Sequence, residues 1–395
     1  IFKYNSSTDL GIPQGIEKGI ENLKTKMDTE DLRDLIIKKG CDTQLGGSAL
    51  LTIRTIASLK ENFKTAYVGC YGNATDIETK AGFSSDIRSE FGFIDDRSWL
   101  FESKTPPGRA VIKLRRGKRL SIDIDPGANN DLKEHIEKKN KSDGSSSSSS
   151  SFIDFLLNSK WIHLSSLADV NQFEFIMASV LIAKKMNPLI KLSIDPGYEY
   201  TKYHRKMLTK YLPYMDYVFL NDNEFNHLAG GKEFNRKKKI DSLGKTVGQS
   251  TNNKTIAFIQ KGKRKNMVLN FVNGNAYSRT FWHSKLSRIS IVNDTGAGDV
   301  FAGGVIAGLL SPHLISHQPA PIKLGSILAS KRLRRQKFPE KEFALDFTNF
   351  VESNLRIENK NYPSQVKAFW EKWGNSIVAF ALGILASLIA SKIMV

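Results

Sequence analysis

The sequence predicts an α/β fold, a mostly parallel sheet sandwiched by helices. Two observations carry this prediction. From Phe152 onward the strand-like runs Trp161–Leu164, Leu189–Ile194 and Tyr217–Leu220 alternate with helical stretches such as Gln172–Lys185. Such alternation places parallel strands side by side with helices on both faces. The second observation is a set of strands running into glycine turns that open helices, most clearly at Ile291–Gly304. There β-branched Ile291 and Val292 read as the end of a buried strand, and Asn293 to Gly298 as the turn. Small and apolar residues then continue through Leu310 as a helix. Apolar residues make up 40% of 395, enough for a sizeable core.

Taken in order, residues 1–40 begin with a turn-rich segment, Gly11 to Gly15. A helix is predicted over Thr29–Lys39, with Leu32, Leu35 and Ile36 on one face and an acidic, capped start at Asp28 to Asp31. The start at Ile1, with no Met and no signal peptide, reads as a trimmed beginning. Gly46-Gly47-Ser48 opens the next helix, and a glycine pair there marks close approach of a ligand or strand to bare backbone. Ala66–Gly72 reads as a strand entering a turn. Ala110–Leu114 and Leu120–Ile124 read as strands flanking the basic turn Arg115–Lys118. Lys138–Ser151 ends in seven serines and has nothing to offset the entropy of ordering, so a disordered surface insertion is expected.

Asn221-Asp222-Asn223-Glu224 follows the Tyr217–Leu220 strand directly, at the edge where parallel sheets bind ligands. A plain helix cap is the alternative for this stretch. Thr255–Gln260 runs into the turn at Gly262, and Ile322–Arg335 reads as a helix.

The Gly296-Ala297-Gly298 turn leaves the first N–H groups of its helix pointing outward, with the helix dipole adding positive charge, a cup suited to phosphate. Asp299 places a carboxylate beside that cup. A capping role is the plainer alternative. Removing a proton from an attacking hydroxyl is the chemical one.

The run Asn293 to Asp299, followed by Gly303-Gly304, resembles the C-terminal signature of the ribokinase-like (PfkB) carbohydrate and nucleoside kinases. The resemblance covers about residues 9–340. It implies the ribokinase-like fold, with the predicted hairpin as a small β-lid over the substrate and Gly127-Ala128-Asn129 as a family turn. It implies Asp299 as catalytic base and Gly296, Ala297 and Gly298 as the anion hole. Gly46-Gly47-Ser48-Ala49 is similar to the substrate-closing motif of the adenosine-kinase-like and sugar-kinase branches, which implies substrate binding at Gly46 and Gly47. Asn221 and Glu224 match the family's Asn-x-x-Glu motif, Asn221 near the nucleotide and Glu224 acting on magnesium. Gly262 and Thr295 fall where the family binds nucleotide. The family's first strand, ending in Asp, is expected before Ile1.

Four departures accompany the match. Leu51 stands where the family has Asn, Asn73-Ala74 where it has an acidic pair, and Lys265 where it has a second glycine. Asn293 stands where it usually has an Asp tied to a monovalent-cation site, which leaves potassium activation open. The implied reaction moves the γ-phosphoryl group of ATP, with Mg2+, to a hydroxymethyl group of a sugar or nucleoside. The alternative is a catalytically impaired, membrane-tethered nucleotide- or sugar-binding scaffold of the same fold. Dimerisation through the lid is left open.

A formal charge of +18 is scattered over Lys113–Arg119, Arg236–Lys239, Lys261–Lys265 and Lys331–Lys337, without interleaved aromatic residues. These clusters read as solvated faces that suit anionic ligands and an anionic membrane surface, and no dedicated nucleic-acid site is expected. Two cysteines, Cys41 and Cys70, exclude a disulfide framework. The kinase domain is expected to span 1–345, followed by an amphipathic linker over 346–372 and a membrane anchor over 373–395. Trp373–Ser391 carries no charge, and as a helix it is about 28 Å long, near the thickness of a bilayer. Trp370 and Trp373 flank it as interfacial aromatics, and Ala379, Gly383 and Ser387 form a small-residue face. A hydrophobic helix buried against the kinase is the alternative. An anchor of this kind puts the kinase on the cytosolic face of a membrane.

Overall fold

The computed structural model describes residues 2–5, 42–59, 61, 63–73, 75, 87–115, 118–143, 151–165, 169–230, 235–247, 254–261, 265–272, 275–282, 291–311, 314, 319–335, 338–339 and 341–352. The first part of the chain forms β1 (Phe2–Asn5), β2 (Asp42–Thr43), α1 (Ser48–Ser58), β3 (Gly69–Gly72), β4 (Leu100–Ser103), β5 (Arg109–Arg115) and β6 (Lys118–Asp125). Next come α2 (Leu132–Asp143), α3 (Phe152–Leu157), β7 (Trp161–Ser165), α4 (Val170–Met186), β8 (Lys191–Asp195), α5 (Gly197–Lys202), α6 (Arg205–Tyr211), β9 (Tyr217–Asn221), α7 (Asp222–Leu228) and α8 (Arg236–Val247). The last elements are β10 (Lys254–Lys261), β11 (Lys265–Val272), β12 (Asn275–Trp282), α9 (Ala297–Leu310), α10 (Ala320–Arg334) and a helix over 341–352, α11.

Among the described residues the main sheet has six strands in the order β12-β11-β10-β9-β8-β7. β7 to β10 are parallel neighbours, as expected, and β11 and β12 extend the sheet antiparallel. Alternate residues of each strand feed opposite faces. Val218, Leu220, Met267 and Leu269 pack with α4, whose Phe173, Met177 and Val180 recur at helical spacing. Phe219, Phe258 and Val268 pack on the other face with Val300, Phe301 and Val305 of α9, and Phe343 and Phe347 of α11 join them. Packed structure therefore continues beyond 345, to 352.

The expected hairpin forms as β5 and β6, within a second sheet ordered β2-β1-β5-β6. β1 lies parallel to β5, a strand of that sheet which the sequence reading did not identify.

Helix α9 sits between α1 and α10, and its glycines explain how closely. A Cβ on Gly304 would lie 2.7 Å from the Gly325 Cα, one on Gly308 2.7 Å from the Pro321 Cα, and one on Gly303 2.8 Å from the Thr52 carbonyl oxygen. Backbone cannot yield as a side-chain end can, so the three helices meet at these contacts only without side chains.

Three expectations need correction. Ile291 and Val292 are not strand: their segment turns under α10, where the Leu333 carbonyl accepts from the N–H groups of both Val292 and Asn293, and Val292 is exposed. Leu189 belongs to an exposed turn, and β8 starts at Lys191. The serine-rich stretch is ordered at both ends. Residues up to Asp143 complete α2, and Ser151 caps α3 in a reciprocal pair with Asp154; residues 144–150 lie outside the described residues. The Thr29–Lys39 helix and the 373–395 anchor also lie outside them. Among the described residues no helix is long and apolar enough to cross a membrane.

Candidate active site

The site is built where two glycine-opened helices converge. Gly296, at φ 78°, is the N-cap of α9, a left-handed position that favours glycine. The turn before it is pinned by Asn293, fully buried, whose Oδ1 accepts from the Thr295 N–H at 3.0 Å. Asp299 lies in the first turn of α9, as expected, and its carbonyl accepts from Thr52 Oγ1 of α1 at 3.2 Å. At the start of α1, Gly47 has φ 119°, and a Cβ there would meet nothing within 4 Å, so this glycine faces open space. One turn on, Leu51 is buried, and its Cδ1 lies 2.7 Å from where a Cβ on Gly296 would be. The glycine pair Gly46-Gly47 and the Gly296–Gly298 cup thus share one corner, with the Asp299 carboxylate beside them.

This corner lies toward the C-terminal end of β9. Phe301, two residues beyond Asp299, meets Phe219, two residues before Asn221, edge to face at 6.5 Å. Asn221 ends β9 opposite Gln260 and caps α7. Its Oδ1 accepts from the Asn223 and Glu224 N–H groups, while its own N–H and Nδ2 donate to Glu224 Oε2 at 2.8 Å and Oε1 at 2.6 Å. The helix cap offered as the alternative is therefore formed, and it fixes the buried Glu224 carboxylate at the sheet edge. Among the described residues no three His, Cys, Asp or Glu side chains group as a metal cage. One fixed carboxylate does fit magnesium, a cation that keeps several waters and is carried largely by substrate phosphates. Thr295 is buried in the cup turn. Gly262 lies outside the described residues.

The sequence reading missed one site residue. Arg332 belongs to the basic run read as a solvated face, yet it is fully buried. Its position was legible: Leu324, Leu328 and Arg332 recur every four residues along one face of α10. Nη1 donates to the Arg335 carbonyl at 2.7 Å, and Nη2 to Gln44 Oε1 at 3.4 Å. Its Nε lies 3.9 Å from the Cβ position of Gly296, and Asp299 Oδ2 lies 3.7 Å from that same point. Burial pushes the guanidinium pKa down to about 10. Asp299 and Asp294 oppose that change, and Arg54 adds to it.

The segments on either side of the β5–β6 hairpin are tied together by a short network. Ser103 and Thr105 donate to Asp131 Oδ2, the latter at 2.6 Å, and these bonds hold the Asp131 carboxyl below its usual range. Gly127, at φ 48°, sits 2.5 Å from the Pro106 carbonyl at its Cβ position, which accounts for the glycine of the predicted turn.

Residues 28–320 match the pfkB family of carbohydrate kinases. The chain belongs to that family. As a pfkB kinase it is an ATP-dependent phosphotransferase, and kinases of this family use ATP and Mg2+. Solved structures share the fold. An Anopheles gambiae adenosine kinase, in complex with P1,P4-di(adenosine-5) tetraphosphate, aligns with TM-score 0.62 and 19% identity over 85% of this chain and 93% of its own. A Giardia lamblia ribokinase aligns with TM-score 0.63 and 16% identity over 87% and 96%. A Sinorhizobium meliloti adenosine kinase aligns with TM-score 0.62 and 20% identity over 88% and 96%. No curated protein matches the sequence.

Proposed function

We propose that this pfkB kinase transfers the γ-phosphoryl group of ATP to a hydroxymethyl group of a sugar or nucleoside, with Asp299 as general base. The observation that carries this reading is the meeting of α1, one turn past Gly47, with the Gly296 turn through Leu51, with Asp299 Oδ2 3.7 Å from the Gly296 Cβ position. In the transfer, Asp299 takes the acceptor's hydroxyl proton as its oxygen bonds to the γ-phosphorus and the bond to ADP breaks. The amides of Gly296, Ala297 and Gly298 face the charge that develops on the phosphoryl oxygens. The Ala297 N–H donates to the Asp294 carbonyl at a long 3.4 Å, a bond that a phosphoryl oxygen can displace. Gly46 and Gly47 admit the acceptor against bare backbone, while Asn221 and Thr295 face the nucleotide. Glu224 would be the residue that holds magnesium, which would arrive with ATP and offset phosphate charge. The adenosine kinases and the ribokinase among the structural relatives support both acceptor classes.

Turnover of Mg-ATP against a panel of sugars and nucleosides tests the reading, with Asp299→Asn as control. The variant should lose roughly 10²–10⁴-fold in kcat, the range for a general base, and keep Mg-ATP binding. A variant with near-wild-type turnover removes Asp299 from the role.

We further propose that 373–395 anchors the kinase on the cytosolic face of a membrane, a reading supported by the uncharged Trp373–Ser391 run. The full-length chain should resist alkaline carbonate extraction, and a chain stopped after Lys372 should not. Equal release of the two forms disproves the anchor.

A further inference from the structure

Burying a cation costs several kcal/mol unless partners compensate, so a fully buried arginine needs a reason. Among the described residues of its basic run, Arg332 is the cation that turns inward. Its neighbours Lys331 and Arg335 form partly exposed ion pairs, Lys331 with Glu342 and Asp346, Arg335 with Glu342. Those pairs fasten α11 to α10. Arg332 instead reaches three segments that meet at the cup: Gln44 before the glycine pair, the Arg335 carbonyl at the end of α10, and the Gly296 turn. The charged groups acting on it are Asp299 and Asp294 from the cup and Arg54 from α1. Two of its bonds fix the plane of the guanidinium, and the end of α10 favours positive charge there.

We propose that Arg332 is a positioning residue for phosphotransfer, a fixed counter-charge that keeps the Asp299 carboxylate ionised and oriented toward the acceptor hydroxyl. This rests on the reading of Asp299 as the base. The planar fork matters as well as the charge. It bonds Gln44 and the Arg335 carbonyl at once, so movement of the substrate-side glycine segment is felt at the cup.

The test uses the full chain with Mg-ATP and the best acceptor from the panel, in the wild type, Arg332→Met, Arg332→Lys and Gln44→Leu. Arg332→Met should lower kcat by about 10²-fold or more, as loss of one fixed charge-stabilising donor does, with both KM values within about threefold. The acid limb of its kcat profile should move up by about one pH unit or more, because the base loses its cationic neighbour. Arg332→Lys should recover part of the rate and most of the pH shift, and Gln44→Leu should show a smaller change of the same sign. An unmoved acid limb with unchanged kcat in Arg332→Lys and Gln44→Leu overturns the proposal, and these two variants decide it if Arg332→Met does not fold. A fall in kcat that tracks melting temperature with no pH shift also overturns it, since a merely structural residue behaves that way. A wild type inactive on every acceptor overturns the phosphotransfer reading itself, a result distinct from either.

Discussion

Gly296→Ala probes the corner where α1 and α9 meet. Alanine must adopt φ 78°, a left-handed conformation that costs an L residue about 1–2 kcal/mol. Its Cβ would also lie 2.7 Å from Leu51 Cδ1, closer than carbon atoms approach, and Leu51 is only 2% exposed. Forcing a buried side chain aside adds about 1–3 kcal/mol. The variant should therefore lose about 2–5 kcal/mol. Leu51→Ala alone should lose about 2–5 kcal/mol through the cavity it leaves. In the double variant the overlap disappears while the backbone strain stays, so the two losses should fall short of additive by about 1–3 kcal/mol. Urea unfolding followed by circular dichroism, on all four proteins, measures this coupling. Additivity within about 0.5 kcal/mol would refute the packing of Leu51 on Gly296, and with it the argument that both glycine segments share one site. The new methyl also lies 3.7 Å from Asp299 Oδ2, so kcat should fall by about 10²-fold even where the fold survives.

Glu224→Gln should raise the magnesium concentration needed for half-maximal rate severalfold while costing about 1 kcal/mol, because the glutamine oxygen still accepts from the Asn221 N–H while the second bond, from Asn221 Nδ2, is lost. An unchanged magnesium titration would leave Glu224 as a capping residue only. His163 should make the protein acid-sensitive. Its Nδ1 bonds Ser193 Oγ at 2.8 Å, its buried Nε2 has no hydrogen-bond partner among the described residues, and burial pushes its pKa down from 6.5 to about 4. Between those values the unfolded chain binds a proton that the native one does not. This contribution is therefore complete above about pH 6.5 and is lost as pH falls toward 4. Its upper limit is about 3 kcal/mol, and the partial exposure of the residue brings it lower. His163→Gln should flatten stability between pH 7 and 5 in urea melts, and an unaltered slope would reject the assignment.

Much of this architecture was legible because local pattern and tertiary packing agree. The strand–helix junction at Asn221 and the turn–helix junction at Gly296 are written in residue types that only a few backbone conformations tolerate. What escaped was of two kinds. The β11–β12 hairpin carries a turn signal, Asn273-Gly274 between two alternating runs, which the expectation of alternating helices and strands obscured. Val292 shows the converse: β-branched residues beside a glycine turn suggested a buried strand, whereas the Leu333 carbonyl takes the local N–H groups. Propensity says which backbone suits a residue and is silent on which partner claims its hydrogen bonds.

Leu51 and Arg332 escaped for a physical reason of their own. Each was judged by its side-chain class, the leucine as a lost amide and the arginine as part of a solvated run. Burial decides otherwise for both. Leu51 projects into the α1–α9 seam onto Gly296, and Arg332 approaches the same glycine from α10. An apolar contact on one side and a cation on the other leave the Gly296 turn little freedom to move. A substitution at Leu51 therefore changes the packing and the polarity of that seam together. Leu51→Asn, which restores the family's residue, must desolvate an amide in that seam, and an unsatisfied buried amide costs about 1–3 kcal/mol. The amide therefore suits a neighbourhood that offers it a hydrogen-bond partner. In this chain the position is committed to packing against Gly296.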